Sequence, residues 1–489
     1  MHRFGPRLRA EPGRVITRLF VPGEELPESA SRGHTVIDRV AALSDDEVRR
    51  AVDGVRADFA GRHRDLTGVL QAHFQVAAHR RASLDRLSPE RQLLIGAYFT
   101  MEYAVESAAL FNPSMVAHPD QRGVGPGELR FVMSARAVGE GHLSSVEFRT
   151  GVLGPDRTLT LDAPGQVLVP GAGRSTTHDL AVLRAQLADL DTDAETVDQV
   201  LRGLPEKATT EQIGQALAAQ HPHLQGRYAG QRIVEQVNRI LAGEYEVTFP
   251  EDTLLGERLL WPIGPEESHG IEDLRLVRFV DTAGEASYLG TYTAYDGSHI
   301  APKLLSTNDF STFRVGGLAG DAARNKGMAL FPRTVGGRYL ALSRWDRENV
   351  TLAASQDGRS WHSAGTVHSP TDGWELVQVG NCGSPIETGA GWLMLTHGVG
   401  PLRTYGIGAV LLDLDDPTRC LATLREPLLS ARDDERDGYV PNVVYSCGAM
   451  LHDGSLTIPY GISDSAIGFA QVSVAELLER MQPARPATG

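Results

Sequence analysis

An all-β body interrupted by helical blocks is the fold class that the sequence predicts, and three observations predict it. Short β-type runs follow one another from Phe111 onward, separated by Asp296-Gly297, Gly336-Gly337, Asp357-Gly358 and Asp453-Gly454. Asp-Gly and Gly-Gly accept the positive φ that hairpin turns require. The 52 glycines and 27 prolines among 489 residues imply more turns than a helical protein uses. Helical spacing of apolar residues is confined to two stretches, 1–106 and about 160–243.

The elements justify this reading in order. Ser44-Asp45-Asp46-Glu47 is a capping box, followed by Val48, Ala51, Val52 and Val55 at helical spacing. Ser88 as N-cap and Pro89 at the first helical position start another helix, continued by Leu93, Leu94, Ile95, Ala97 and Tyr98. Phe131–Arg136 and Val146–Arg149 are the first strands. Residues Thr177–Leu190, Asp193–Leu201, Thr210–Ala219 and Gly230–Leu241 have helical periodicity and form an insertion, because β texture resumes near Tyr245. Strands then come quickly: Leu274–Phe279, Ser287–Ala294, Tyr339–Ser343, Val350–Ala354, Gly391–Thr396, Ile407–Leu412 and Ser455–Tyr460. Such a series fits a propeller or a large sandwich, and periodicity alone does not choose between them. The expected organisation is a helical segment 1–106, a catalytic β domain 107–481 containing the insertion, and a flexible tail 482–489.

Composition narrows the partners. A formal charge of −15 argues against nucleic acid, whose phosphates need a basic surface. Cys382, Cys420 and Cys447 are too few and scattered for a disulfide framework or a zinc site, so reduced thiols in the cytoplasm are expected. Met1–Arg18 carries five arginines and no apolar run, unlike a secretory signal. No stretch approaches the roughly 20 apolar residues of a membrane span. HExxH, Walker, GxSxG and CxxC patterns do not occur.

Several polar groups sit at strand ends. Glu272-Asp273 followed by Arg275 reads locally as a salt-bridged turn. Arg324-Asn325-Lys326 precedes the apolar run Met328–Phe331 and is either solvated surface or an anion clamp. Ser343-Arg344, Thr396-His397 and Ser463-Asp464 each close an apolar strand with polar groups. Repetition of this pattern points to side chains converging at one end of a toroid.

The ordered series GIEDLR (270–275), TYTAYD (291–296), RNKGMALFPR (324–333), LTHGVG (395–400), YVPNVVYSCG (439–448) and YGISDS (460–465) resembles glycoside hydrolase family 130, the mannoside phosphorylases and β-mannosidases. The resemblance runs from about Phe111 to Ala470, outside the helical insertion, and implies a five-bladed β-propeller with its site on the axis. It implies Asp273 as general acid, although Leu274 stands where the family has proline. It implies Asn112, Ser114, Arg324, Asn325 and Asp464 as sugar contacts, and Arg136, Lys326, Arg344 and His397 as phosphate contacts.

Mechanistic logic then separates two activities. An inverting hydrolase needs an acid and a second carboxylate, roughly 6.5–9.5 Å apart, to deprotonate water. A phosphorylase needs the acid alone, with cations to hold the phosphate nucleophile. Phosphorolysis of a β-mannoside oligosaccharide to mannose 1-phosphate is expected, with inorganic phosphate as co-substrate and no cofactor or metal. Glu387 stands where the resemblance places a phosphate-site lysine, so the alternative is a β-mannosidase with Glu387 as base. A non-catalytic carbohydrate-binding propeller is a further alternative. The helical segments suit packing, a lid or a homo-oligomer interface.

Overall fold

The computed structural model describes residues 1–23, 32–78, 86–224 and 228–485, and its core is all β. Antiparallel strands follow one another in five consecutive groups. The first comprises Ala109–Ala117, Leu129–Val138 and Ser144–Leu153. The second runs through Gly270–Val280, Ala286–Tyr295, Ile300–Thr307 and Thr312–Gly317. Ala329–Leu330, Tyr339–Ser343, Val350–Ser355 and His362–His368 form the third. The fourth pairs Gln378–Asn381 and Ile386–Thr388 with Gly391–Val399, then Tyr405–Leu412 and Cys420–Thr423. In the fifth, Val444–Tyr445 and Met450–His452 pair with Ser455–Ile462, which pairs with Ala466–Ser473. The strands expected from turn chemistry all lie within these ladders.

The first strand of the first group touches both the second and the fifth groups. Ala109–Ala117 is buried on both faces up to its last residue, which is why it reads as continuous rather than alternating. Ser114 Oγ accepts from the Leu276 amide at 3.0 Å, and Ser114 bridges to Gly448. The Cys447 amide donates to the Pro113 carbonyl at 2.8 Å. Hydrogen bonds therefore join this strand to the first strand of the second group and to the connection that follows Val444–Tyr445 in the fifth.

Two expectations about the chain ends need correction. Residues 1–106 are not helical throughout: His2–Arg9 is a strand that pairs with Ala466–Ser473 and completes the fifth group. Gly5-Pro6 interrupts its pattern and coincides with a register shift, and an edge strand tolerates that proline. Val15–Leu19 pairs with Thr100–Ala104, while helices Arg32–Ala41, Asp45–Phe59, Leu66–Ala78 and Pro89–Tyr98 pack around Val48, Val52, Phe74 and Ile95. The tail is also tied down at its start, since Gln482–Pro483 pairs with Cys420–Thr423. Residues 486–489 lie outside the described residues.

The insertion packs around Leu183, Leu187, Val197, Ile213 and Val237. Its first helix starts at Leu180 rather than Thr177, because Thr177–Asp179 pairs with Lys207–Thr209. Glu244 ties it to the β core: one oxygen meets His178 Nδ1 at 2.9 Å, the other accepts from Arg359 at 2.6 Å and from the Gly317 amide at 3.2 Å.

A buried ion cluster fastens the N-terminal segment to the first group. Arg14 reaches Glu147 at 2.7 Å and Glu106 at 3.1 Å; Arg149 reaches Glu106 at 2.6 Å and Glu147 at 2.9 Å. Burial pushes the Glu106 carboxyl up to about 8, with the neighbouring Glu147 charge adding to the shift. Removing one member strands the opposite charges in a low-dielectric interior. Glu147→Ala is therefore expected to destabilise the fold by about 3–5 kcal/mol, read as a lowered midpoint in urea unfolding.

Candidate active site

Two central strands each break register to aim one polar residue away from the ladder. In Ala109–Ala117 the shift falls between Phe111 and Ser114, and Asn112 has φ of 48°. In Gly270–Val280 it falls between Glu272 and Arg275, and Asp273 has φ of 57°. Asn and Asp tolerate the left-handed region better than other residues with a Cβ. The two breaks face each other, with Asn112 Nδ2 donating to Asp273 Oδ1 at 2.7 Å.

Cations surround this pair. Arg136, near the end of its strand, reaches Glu272 at 2.8 Å and Asp273 at 3.4 Å. Lys326 pairs with Glu272, and the Arg275 side chain is buried beside Asp273. Burial alone would raise the Asp273 carboxyl, but Arg136, Lys326 and Arg275 outweigh it and hold the group below its ordinary value. Asp464, in the turn after Ser455–Ile462 with φ of 50°, behaves oppositely. Burial and the Asp273 charge push it up to about 7, against the pull of Arg136 and Arg403. The surroundings of these two carboxyl groups therefore shift them in opposite directions.

A second half of the site comes from the third and fourth groups. Asn325, at φ of 64°, donates its amide to the Arg344 carbonyl at 2.9 Å. Arg344 Nη1 lies 3.2 Å from His397 Nε2. Arginine only donates, so Nε2 accepts and the His397 proton sits on Nδ1. Burial, then Arg344 and Arg275, push His397 well below its ordinary value, so the ring is neutral at pH 7. Gly380 makes room for it: a Cβ there would come within 2.4 Å of the imidazole.

The side-chain atoms Asn112 Oδ1, Arg136 Nε, Arg344 Nε and Asn381 Oδ1 are buried with no hydrogen-bond partner among the described residues. Among the described residues no cluster of His, Cys, Asp and Glu has the makings of a metal site.

Asn112, Arg136, Asp273, Asn325, Lys326, Arg344, His397 and Asp464 thus come from all five groups. Three candidates stand apart. Glu387 is exposed and forms a two-pronged pair with Arg333 at 2.6 and 2.8 Å, on a cavity of about 470 Å³ lined by Val116, Leu276 and Met450. It joins none of the contacts around Asp273, which corrects its expected place as base. Ser114 is fully buried and uses its hydroxyl between strands, which corrects its expected role on sugar. Arg324 is exposed and takes part in no hydrogen bond or ion pair among the described residues.

Sequence reasoning missed Arg275, Glu272, Asn381 and Tyr445. The local reading of Glu272-Asp273-x-Arg275 as a self-contained salt-bridged turn is wrong. Glu272 pairs with Arg136 and Lys326, whereas Arg275 crosses to the Asn381 carbonyl at 2.9 Å and to the Tyr445 hydroxyl. The only signal in the sequence was the conjunction of two acids and an arginine at a strand start.

A family model described as β-1,4-mannooligosaccharide phosphorylase matches residues 238–483. The chain is 32% identical over 214 residues to a 1,2-β-oligomannan phosphorylase of Thermoanaerobacter sp. (strain X514), covering 43% of this chain and 71% of the relative. It is 31% identical over 237 residues to a β-1,2-mannobiose phosphorylase of Listeria innocua, covering 47% and 65%. A solved β-1,2-mannobiose phosphorylase from Listeria innocua, in complex with β-1,2-mannobiose, superposes with a TM-score of 0.44 at 21% identity, over 76% of this chain and 92% of that one.

Two outcomes follow from the geometry of the carboxyl pair. Asp273→Asn and Asp273→Val remove the same charge, but only Val is β-branched at a positive φ. The Val variant is expected to be less stable by about 1–2 kcal/mol, compared by denaturant midpoints. For Asp464, the folded value of about 7 exceeds the ordinary 3.8, so the folded chain retains a proton that the unfolded chain releases. Stability therefore falls as pH rises through that window. The stability gain of Asp464→Asn over the natural chain should grow from pH 4 to 7 and then level off, as measured by thermal melts across pH.

Proposed function

The chain belongs to glycoside hydrolase family 130, and from that footing we propose that it cleaves β-mannosides by phosphorolysis, with inversion, to mannose 1-phosphate. The observation that carries this reading is the division of charge. Asp273 is ringed by Arg136, Lys326 and Arg275, and the Arg344–His397 pair adds donors nearby. The carboxylate that hydrolysis would need, Glu387, is neutralised by Arg333 on another face.

Five antiparallel groups, the last completed by the N-terminal strand, support a five-bladed β-propeller whose first strands line the axis. In that arrangement the mannosyl unit sits against Asn112, Asp273 and Asp464. Phosphate is held by Lys326 and Arg344, with Arg136 at its edge. His397 is neutral and serves by accepting from Arg344, which fixes the guanidinium that meets the anion. Asn325 anchors the same residue through its backbone.

The acid must be protonated when the glycosidic oxygen leaves, yet cations keep Asp273 ionised in the free enzyme. Phosphate resolves this conflict. A dianion that engages Lys326 and Arg136 cancels part of the field on Asp273 and lets its pKa rise. Protonation is thereby coupled to arrival of the nucleophile, and the proton passes to the leaving oxygen through a sugar hydroxyl, as the family resemblance implies. Free thiols at Cys382, Cys420 and Cys447 fit a cytoplasmic enzyme that keeps its phosphorylated product.

By their names the two relatives above act on β-1,2-linked mannosides, so β-1,2-mannobiose is the first substrate to test, with β-1,4-mannobiose beside it. Incubation with inorganic phosphate is expected to release mannose 1-phosphate, and Asp273→Asn to lower that rate by about 10²–10⁴-fold. Equal release of free mannose with and without phosphate would instead establish hydrolysis.

A further inference from the structure

We propose that Tyr439, held in place by His142, is the platform for the acceptor sugar, the unit that leaves with the glycosidic oxygen; this rests on the phosphorylase reading. Site residues lie at the starts of first strands and at the ends of second strands. The turns 139–143, 400–404 and 463–465 and the connection 431–443 therefore surround the same end.

Tyr439 stands in that connection with its side chain 51% exposed. Its amide donates to Ser465 Oγ at 2.6 Å, and the next amide, of Val440, donates to the Ser463 carbonyl at 3.0 Å. The backbone that carries the ring is thus attached on both sides of Asp464. Gly438 permits the approach, since a Cβ there would come within 2.5 Å of the Ser463 carbonyl. Across the first group's hairpin, the Tyr439 hydroxyl lies 2.8 Å from His142 Nδ1, and the two rings are 5.8 Å apart. That hairpin is braced from below: Tyr103 donates its hydroxyl to the Glu140 carbonyl at 2.8 Å. Tyr103 belongs to the strand that follows the N-terminal helices. A held, half-exposed aromatic ring at the rim of a polar site is unusual for an inert surface, because its apolar face stays in water.

Placement decides which ligand the ring serves. Lys326 leads into the third group, Arg344 follows its second strand and His397 belongs to the fourth. Arg136 of the first group touches the anion only at its edge, beside Asp273, so the anion enters over the third and fourth groups. Tyr439 and His142 belong to the fifth and first groups. Inversion requires nucleophile and leaving group on opposite faces of the mannosyl ring. The leaving sugar accordingly lies over the fifth and first groups, where its C–H face stacks on Tyr439. The N-terminal segment shapes acceptor choice through Tyr103 and His142.

The test is steady-state kinetics of the synthetic direction, with mannose 1-phosphate as donor and mannose or mannobiose as acceptor. Tyr439→Ala is expected to raise KM for the acceptor about threefold to tenfold, with KM for mannose 1-phosphate changed by less than about twofold. Tyr439→Phe and His142→Ala, which keep the ring but loosen it, should show smaller rises in the acceptor constant alone. An unchanged acceptor KM in Tyr439→Ala, or equal rises in both constants, overturns the platform. A natural chain that releases no phosphate from mannose 1-phosphate with either acceptor sinks the phosphorylase reading itself, and the platform with it.

Discussion

The buried guanidinium of Arg275 is the interaction on which the rest of the structure depends. A cation in a protein interior is costly unless its donors and its charge are matched. Arg275 belongs to the second group of strands, yet its donors are satisfied by the Asn381 carbonyl of the fourth and the Tyr445 hydroxyl of the fifth. The same charge helps keep Asp273 ionised and His397 neutral. One side chain thus joins the second, fourth and fifth strand groups and contributes to the ionisation of Asp273 and the neutrality of His397. Burial pushes the Tyr445 phenol and the Cys447 thiol upward, so neither competes as an anion for that cation.

Around this post the charged side chains form one connected network. Glu272 occupies Lys326 and shares Arg136 with Asp273, which keeps the cations ordered in the absence of an anion. In the proposed phosphorolysis, phosphate displaces part of that network. On that proposal the displacement frees Asp273 to take up a proton, so ordering and activation arise from a single event. Asp464, whose carboxyl burial and the Asp273 charge push up to about 7, adds less than a full second negative charge beside Asp273 at neutral pH.

Backbone geometry supports the same design. Asn112, Asp273, Asn325, Ser463 and Asp464 all have positive φ. Each such position carries a conformational cost that surrounding packing must offset. Their clustering at one end of the strand groups, on Asn and Asp in four of five cases, shows where stability has been traded for aim. The strand breaks at Asn112 and Asp273 do this most clearly, because a regular strand would alternate those residues into neighbouring layers.

Much was legible in the sequence because it rests on short-range physics. Asp-Gly and Gly-Gly turns placed the hairpins, and the capping box at Ser44 and the Ser88-Pro89 pair placed helix starts that the structure bears out. The ordered motifs, not periodicity, located Asp273 and the basic residues. What the sequence could not carry was direction and distant pairing. Glu387 and Lys326 each follow a turn and look equally available, yet one salt-bridges Arg333 outside and the other Glu272 inside. Arg275 seemed to belong to its own turn, and Arg3-Phe4-Gly5-Pro6 gave no sign of pairing with residues more than four hundred positions away. The sequence by itself determined which segments become strand, helix and turn, because those choices depend on neighbours along the chain. Only the tertiary structure decided which side chains share a dielectric interior, and that sharing sets their charge.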